Sequence, residues 1–149
     1  VTSRRSAGTS VEDRGAGVAT VTAGSASGSG IAALTDPNNI LSKRSVFFDF
    51  DSYVIKQEAR ALVEAHARFL VQNPQMRMLI QGNTDERGSR EYNLALGQKR
   101  AEAVLRTLAL LGVADKQLEA VSFGEERPAA QGSDESAWAR NRRAELKDR

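Results

Sequence analysis

Cysteine is absent from this chain of 149 residues, and histidine occurs once. The absence of cysteine excludes disulfides, thiolate metal sites and cysteine nucleophiles, and it leaves the redox compartment open. The single histidine, His66, falls on the apolar face of a predicted helix, where we expect a packed side chain. A metal site there would need partner ligands that the sequence does not supply. We therefore predict neither a metal site nor a cofactor.

An excess of one charge and a long apolar run are also missing. The 21 basic residues nearly balance the 19 acidic ones, giving a net charge of +2, whereas a nucleic-acid-binding domain usually carries a clustered basic face. Arg140, Arg142 and Arg143 lack interleaved aromatic residues, so we expect them to form a solvated basic end.

No stretch approaches the roughly 18 apolar residues of a membrane span, and the N-terminus lacks the regions of a signal peptide. We expect a soluble chain whose targeting segment or anchor was removed or never included.

Residues 1–34 contain no aromatic side chain and consist mainly of Ser, Gly, Ala, Thr and Val. Such a composition cannot bury enough apolar area to offset the entropy lost on ordering. The Ser, Gly and Ala residues over 23–30 are typical of a flexible tether, and the turn residues over 36–39 close it. One ordinary domain takes about 100–150 residues. We therefore predict a disordered linker over residues 1–40 and a single domain over residues 41–149.

Two kinds of hydrophobic period alternate after the linker. They predict strands near residues 46–50, 76–81, 118–123 and 143–147, helices near 56–72 and 89–111, and a helical turn near 136–140. Small Gly97 and Ala101 would let the second helix lie close to a sheet, and we expect Trp138 to be a packing anchor. Since both helices need one covered face, the order β-α-β-α-β-β predicts an α+β fold built as a two-layer sandwich.

Polar and charged residues surround the start of the second predicted helix. Asn93, Leu96 and Arg100 are spaced by three and four residues and share one stripe of that helix, and Asp85 lies in the loop before it. A carboxylate and a guanidinium facing one groove would suit a ligand that carries an ammonium and a carboxylate. On spacing alone, the commoner interpretation is that Asp85 caps or solvates a loop and that Arg100 lies on a solvated helix face.

Six ordered motifs carry a resemblance to a known family. They are FDFDSY at residues 48–53, GNTDERG at 82–88, EYNLALG at 91–97, KRA at 99–101, VSFGEERP at 121–128 and NRR at 141–143. Through these motifs the stretch from about residue 45 to residue 147 closely resembles the peptidoglycan-associated lipoproteins of Gram-negative bacteria, in the OmpA-like C-terminal domain family. The resemblance implies a non-catalytic periplasmic domain that binds meso-diaminopimelate in uncrosslinked stem peptides of the cell wall.

The family's ligand residues carry over by motif position. The resemblance implies that Asp85 meets the ligand's ammonium and Arg100 its carboxylate, with further contacts from a set of five residues: Phe50, Asp51, Asn93, Leu96 and Arg142. It also implies partners, namely TolB and other Tol proteins, and a part in envelope integrity and cell division. Such proteins are attached to the outer membrane through a lipidated N-terminal cysteine. This chain has no cysteine, so the lipid anchor rests on the resemblance alone.

Two alternative functions stay open on the sequence. The same fold could belong to a different host protein, either an outer-membrane barrel or a MotB-type stator. The residues of the motifs, which resemble those of the lipoproteins, and the missing membrane segment disfavour both. A peptidoglycan hydrolase could use Asp51 and Asp85 as a pair of catalytic carboxylates. The sequence shows no hydrophobic environment that would raise the pKa of either one, and we predict that the domain is not an enzyme.

Overall fold

The computed structural model describes residues 38–149, and its four strands and three α-helices lie within Arg44–Arg149. Its elements are β1 (Ser45–Phe47), α1 (Arg60–Gln72), β2 (Met78–Asn83), α2 (Arg90–Leu110), β3 (Leu118–Gly124), α3 (Glu135–Asn141) and β4 (Arg143–Asp148). Of the linker predicted over residues 1–40, residues 1–37 lie outside the described residues. Within residues 38–149, each helix is too short or too polar to cross a membrane.

The four strands form one mixed sheet in the order β1-β4-β2-β3. β4 pairs antiparallel with both β1 and β2, whereas β2 and β3 run parallel. A parallel pair needs a crossover connection, and α2 supplies it by packing across β2 and β3, with α1 packed beside α2. The predicted α+β class and the two-layer arrangement are confirmed.

The core lies between the sheet and the two long helices. Val46 pairs with Ala144 and Ile80 pairs with Leu146 across neighbouring strands, and all four side chains are fully buried. From α1 the core receives a helical stripe that includes His66, which is buried as predicted. Burial of such an apolar set is the main force that holds the two layers together.

Two glycines allow α2 to approach the sheet at backbone contact. A Cβ atom on Gly82 of β2 would lie 1.7 Å from the carbonyl oxygen of Gly97, and one on Gly97 would lie 2.3 Å from the hydroxyl of Ser122. Both distances are far below van der Waals contact, so no side chain fits between helix and strand here. The predicted close approach at Gly97 is confirmed, and its partner on the sheet is Gly82.

The segment after β1 differs from the predicted strand over residues 46–50. β1 ends at Phe47, and Asp49–Ser52 forms a turn closed by a 3.2 Å hydrogen bond from the Ser52 N–H to the Asp49 carbonyl. Asp51 adopts a left-handed φ of 54°, a conformation that aspartate tolerates better than most residues. Because the chain turns after β1 and does not continue as a strand to residue 50, Phe50 is exposed.

The C-terminal segment contains a helix where the sequence predicts only a turn. α3 spans seven residues, and the Asp134 side chain caps it by accepting a 3.0 Å hydrogen bond from the Ala137 N–H. The element order is therefore β-α-β-α-β-α-β.

The prediction of a solvated basic end is wrong for two of its three arginines. Arg142 and Arg143 are buried. Arg142 pairs with Glu135 at 2.9 Å and Arg143 with Glu145 at 2.6 Å, and these carboxylates neutralise the buried guanidinium charges.

Candidate ligand-binding site

A pocket of about 180 Å³ opens where the turn after β1, the loop after β2 and the first turns of α2 meet. Its lining residues are Phe50, Asp51, Thr84, Asp85, Arg87, Gly88, Tyr92, Asn93, Leu96 and Arg100. Six of the seven residues predicted to touch the ligand therefore come together, from three segments that are distant in the sequence. The seventh, Arg142, lies behind the pocket wall.

Arg100 lies in the pocket wall and is fully buried. Its Nε donates to the Ser52 carbonyl at 2.7 Å, one terminal nitrogen donates to the Asn83 carbonyl at 3.0 Å, and the other donates to the Asp49 carbonyl at 3.1 Å. These bonds hold the guanidinium plane in one orientation. They also tie the turn Asp49–Ser52 to the end of β2, so the interpretation of Arg100 as a solvated helix residue is excluded.

The guanidinium of Arg100 keeps donors for a further partner. A guanidinium has five N–H groups, and the three carbonyls engage one on each nitrogen, which leaves one N–H on each terminal nitrogen. Among the described residues, no carboxylate lies within ion-pair distance of Arg100. Burial lowers the pKa of Arg100 to about 10, a shift that the nearby charge of Asp85 opposes. Arg100 therefore stays cationic at neutral pH.

Asp85 is the buried acidic residue of the pocket, and it is already paired. Its Oδ1 accepts the Arg87 backbone N–H at 2.9 Å and the Arg87 Nε at 3.2 Å, and its Oδ2 accepts the other end of the same guanidinium at 2.8 Å. Burial raises the pKa of Asp85, but the hydrogen bonds from Arg87 and the charges of Arg87 and Arg142 outweigh this effect, so the pKa lies below its usual value. Asp85 is a fixed negative charge.

Arg142 supports Asp85 from behind. One of its terminal nitrogens lies 3.6 Å from Asp85 Oδ2, while its Nε donates to the Phe48 carbonyl at 3.0 Å. Because Arg142 is buried and held by Phe48 and Glu135, its position orients the acidic wall of the pocket. Its predicted contact with the ligand stays a prediction.

Arg87 is a pocket residue that the sequence analysis missed. Its guanidinium lies 4.0 Å from the ring centre of Phe50 and 4.1 Å from that of Trp138, between the two rings. Trp138 is therefore a packing anchor for this arginine, and its indole N–H donates to Glu86 at 2.9 Å. The opposite charges two residues apart in Asp85 and Arg87 are a sequence signal that could have found the pair.

Tyr92 is a second residue that the sequence analysis missed. Its hydroxyl donates to the carboxylate of Asp51, and this hydrogen bond raises the pKa of Tyr92. Tyr92, Leu96 and Arg100 are spaced by four residues, so they share one stripe of α2, a signal that was present in the sequence. On the same face the buried Asn93 donates to Glu125 at 2.7 Å and to the Asp85 carbonyl at 3.4 Å.

The lining combines two cations, two carboxylates and two apolar side chains. Arg100 is the buried cation and Arg87 the partly exposed one. Asp51 and Asp85 supply the carboxylates, and Leu96 and Phe50 supply apolar surface. This arrangement fits a small group that carries a negative and a positive charge close together. Among the described residues, no cluster of three or more His, Asp or Glu side chains is placed to hold a metal ion.

The sequence of the domain matches a model of the OmpA family over residues 47–142, which include every residue of the pocket. This chain belongs to the OmpA family. Within that family it is similar to the peptidoglycan-associated lipoproteins, as the resemblance predicts. The OmpA family is not enzymatic, in agreement with the prediction of a non-catalytic domain.

Three individual relatives show how similar this domain is to known members of the OmpA family. The peptidoglycan-associated lipoprotein of Pseudomonas putida is 54% identical over 101 residues, which are 68% of this chain and 60% of the relative. The crystal structure of the peptidoglycan-associated lipoprotein from Burkholderia pseudomallei is 62% identical, with a TM-score of 0.77, and the match covers 78% of this chain and 99% of that one. The C-terminal domain of Helicobacter pylori MotB, at 24% identity and a TM-score of 0.65 over 72% of this chain and 84% of that one, shares the fold.

Proposed function

We propose that this OmpA-family domain binds the meso-diaminopimelate residue of uncrosslinked peptidoglycan stem peptides, without chemical turnover. The observation that carries the proposal is the buried guanidinium of Arg100, which lines a pocket and keeps one N–H on each terminal nitrogen. The side chain of diaminopimelate ends in a carbon that bears both a carboxylate and an ammonium. The carboxylate meets Arg100, and the ammonium turns toward the acidic side of the pocket formed by Asp85 and Asp51.

Charge supports the assignment of the carboxylate to Arg100. A buried cation without a carboxylate partner is costly, and backbone carbonyls compensate it only in part. A ligand carboxylate supplies the missing negative charge and accepts two parallel hydrogen bonds from the terminal nitrogens. Charge-assisted hydrogen bonds contribute about 1.5–3 kcal/mol, which corresponds to roughly a tenfold to a hundredfold gain in affinity.

The size of the pocket supports a small ligand group. Its volume of about 180 Å³ is below the roughly 300–1,000 Å³ that is usual for sites enclosing drug-sized molecules. A pocket of this size holds the end of one amino-acid side chain and leaves the glycan and the rest of the stem peptide outside. This size supports wall binding through one residue of each stem peptide.

The state of Asp85 argues against the alternative of a peptidoglycan hydrolase. A glycosidase needs one carboxyl whose pKa is raised so that it can donate a proton. Asp85 has the opposite property, because hydrogen bonds and positive charges lower its pKa despite burial. Asp51, the second candidate, is engaged by the hydroxyl of Tyr92.

The names of the relatives support the wall polymer as ligand. Because this chain spans 60% of the length of the Pseudomonas putida lipoprotein, the properties of the host protein are part of the proposal. They comprise a periplasmic location, association with the outer membrane through a lipid anchor, and interaction with TolB and other Tol proteins in envelope integrity and cell division. The identity of 24% to MotB, against 62% to a peptidoglycan-associated lipoprotein, disfavours a stator as the host.

Sedimentation with purified cell walls tests the proposal. The chain should co-sediment with sacculi whose stem peptides contain diaminopimelate and should stay in solution with sacculi whose stem peptides contain lysine. Leu110→Ala, a change at an exposed position on the far end of α2, is the matched control and should sediment like the wild type. Time-dependent release of soluble wall fragments would contradict the proposal and favour the hydrolase.

A further inference from the structure

The carboxylate of Asp85 has few free acceptor positions for a ligand. Each carboxylate oxygen offers about two lone-pair sites. Both sites on Oδ1 are taken by the backbone N–H and the Nε of Arg87, and Oδ2 accepts a terminal nitrogen of Arg87 and faces Arg142 at 3.6 Å. An ammonium that approaches Asp85 therefore competes with groups that are already bound there.

Among these groups, the Arg87 side chain is the one that can move. The backbone N–H of residue 87 is part of the loop, and the Arg142 side chain is only 9% exposed and is held by Phe48 and Glu135. The side chain of Arg87 lines the pocket and is 31% exposed, whereas that of Asp85 is 5% exposed. Its other neighbours are the ring faces of Phe50 and Trp138, which attract a cation without fixing its position as a hydrogen bond would.

We propose that Arg87 is an internal competitor of the ligand's ammonium, which occupies Asp85 in the empty pocket and leaves it when diaminopimelate binds. This inference rests on the proposed function. The backbone N–H of Arg87 and the side chain of Arg142 keep Asp85 oriented throughout the exchange. The Arg87 guanidinium moves along the rings of Phe50 and Trp138. One oxygen of Asp85 then becomes free to accept a hydrogen bond from the ligand's ammonium. Arg87 thereby lowers the affinity of the site for a ligand that carries an ammonium beside its carboxylate.

Removal of the Arg87 charge should tighten ligand binding. Two variants test this, Arg87→Gln and Arg87→Met, the second of which keeps an apolar stem between the two rings. In both, we expect the dissociation constant of a diaminopimelate stem peptide to fall roughly fivefold. This factor corresponds to the loss of a partly exposed ion pair. Arg87→Lys, which retains a competing cation, should bind within about a factor of two of the wild type. Isothermal titration calorimetry on the full chain measures all four dissociation constants.

A second peptide separates competition from a structural role. In this peptide the side-chain ammonium of diaminopimelate is replaced by hydrogen while the carboxylate is kept. Its affinity should be the same in wild type and Arg87→Gln, because no ammonium competes for Asp85. Arg90→Gln is the matched control, since Arg90 is a neighbouring arginine that pairs with Glu126 outside the pocket, and it should leave both affinities unchanged.

Three results would overturn the inference. If the wild type binds diaminopimelate and Arg87→Gln and Arg87→Met bind it equally or more weakly, Arg87 positions Asp85 and does not compete. If both peptides tighten to the same extent in Arg87→Gln, the variant has changed the pocket in general. If the wild type binds neither peptide, the proposed function fails first and the inference fails with it.

Discussion

At the scale of single residues, Arg100 serves the fold as well as the proposed ligand. Its three hydrogen bonds join the turn Asp49–Ser52 to the end of β2, and a substitution leaves those carbonyls without a donor at a cost of about 1–3 kcal/mol. A loss of binding in an Arg100 variant therefore combines lost recognition with a displaced turn. Changes in the ligand separate the two effects, because they leave the protein unaltered.

Asp85 contributes to stability in a way that depends on pH. Its pKa is lowered in the folded protein from an ordinary value of 3.8, so the folded state favours the ionised carboxylate. The contribution is fully present above the unfolded pKa, and it is lost as the pH falls through the lower, folded pKa. Near neutral pH, Asp85→Asn should lower the free energy of unfolding by about 1–3 kcal/mol, because Arg87 loses one of its two acceptor oxygens and both Arg87 and Arg142 lose the negative charge that they face.

Urea unfolding at neutral pH and below pH 3.8 measures this dependence. The gap between wild type and Asp85→Asn should narrow as the pH falls, because the wild-type carboxyl also becomes neutral. Asp115→Asn, at an exposed position, is the control and should stay within about 0.5 kcal/mol of the wild type at both pH values. A gap that is constant or widens toward acid pH would show that the ion pairs of Asp85 do not stabilise the fold.

At the scale of elements, the contact between α2 and β2 sets the position of Arg100. Gly97 lies one helical turn before Arg100 and meets Gly82 directly. Gly82→Ala would place a methyl group 1.7 Å from a backbone oxygen, whereas the nearest atom to a methyl group at Gly97 is the side-chain hydroxyl of Ser122. Overpacking usually costs about 1–3 kcal/mol, and we expect Gly82→Ala to exceed this range and Gly97→Ala to fall within it.

Thermal or urea unfolding of the two glycine variants checks this order. Leu110→Ala, at a position that is 87% exposed, should unfold within about 0.5 kcal/mol of the wild type. If Gly82→Ala were as stable as the wild type, α2 would not need backbone contact with the sheet, and the placement of Arg100 would need another cause.

The two long helices could be predicted from hydrophobic period, because each has one buried and one exposed face. β2 and β3 have no exposed face, and they could be predicted only as short apolar runs. The prediction of α3 fell short, because its seven residues bury only Ala137 and Asn141 and so show little periodicity. Burial of Arg142 and Arg143 was also missed. Their partners Glu135 and Glu145 are close in sequence, but such pairs also occur on solvated surfaces, so spacing alone does not reveal burial.

The candidate site was predicted mainly through the resemblance. Spacing placed Asn93, Leu96 and Arg100 on one face of α2, but it gave no sign that Arg100 is fully buried. That burial depends on Asp49, Ser52 and Asn83, whose backbone carbonyls receive the guanidinium. Backbone acceptors leave no trace in the identity of a residue, so this part of the site requires the structure.

At the scale of the whole molecule, a rigid pocket on a two-layer domain suits a protein that holds a polymer. Arg100 is fixed by three carbonyls, and Asp85 is fixed by two arginines. Binding therefore needs little reorganisation beyond the proposed movement of Arg87, and a preorganised site loses little affinity to ordering.

In the proposed function, Arg100 recognises the side-chain carboxylate of diaminopimelate. Two stem peptides that differ only in this group, one with diaminopimelate and one with lysine, test it by isothermal titration calorimetry on the wild-type chain. The lysine peptide should bind roughly tenfold to a hundredfold more weakly, because the two free N–H groups of Arg100 lose a charged acceptor. Equal dissociation constants for the two peptides would exclude this role of Arg100, since the buried cation would then take no part in binding.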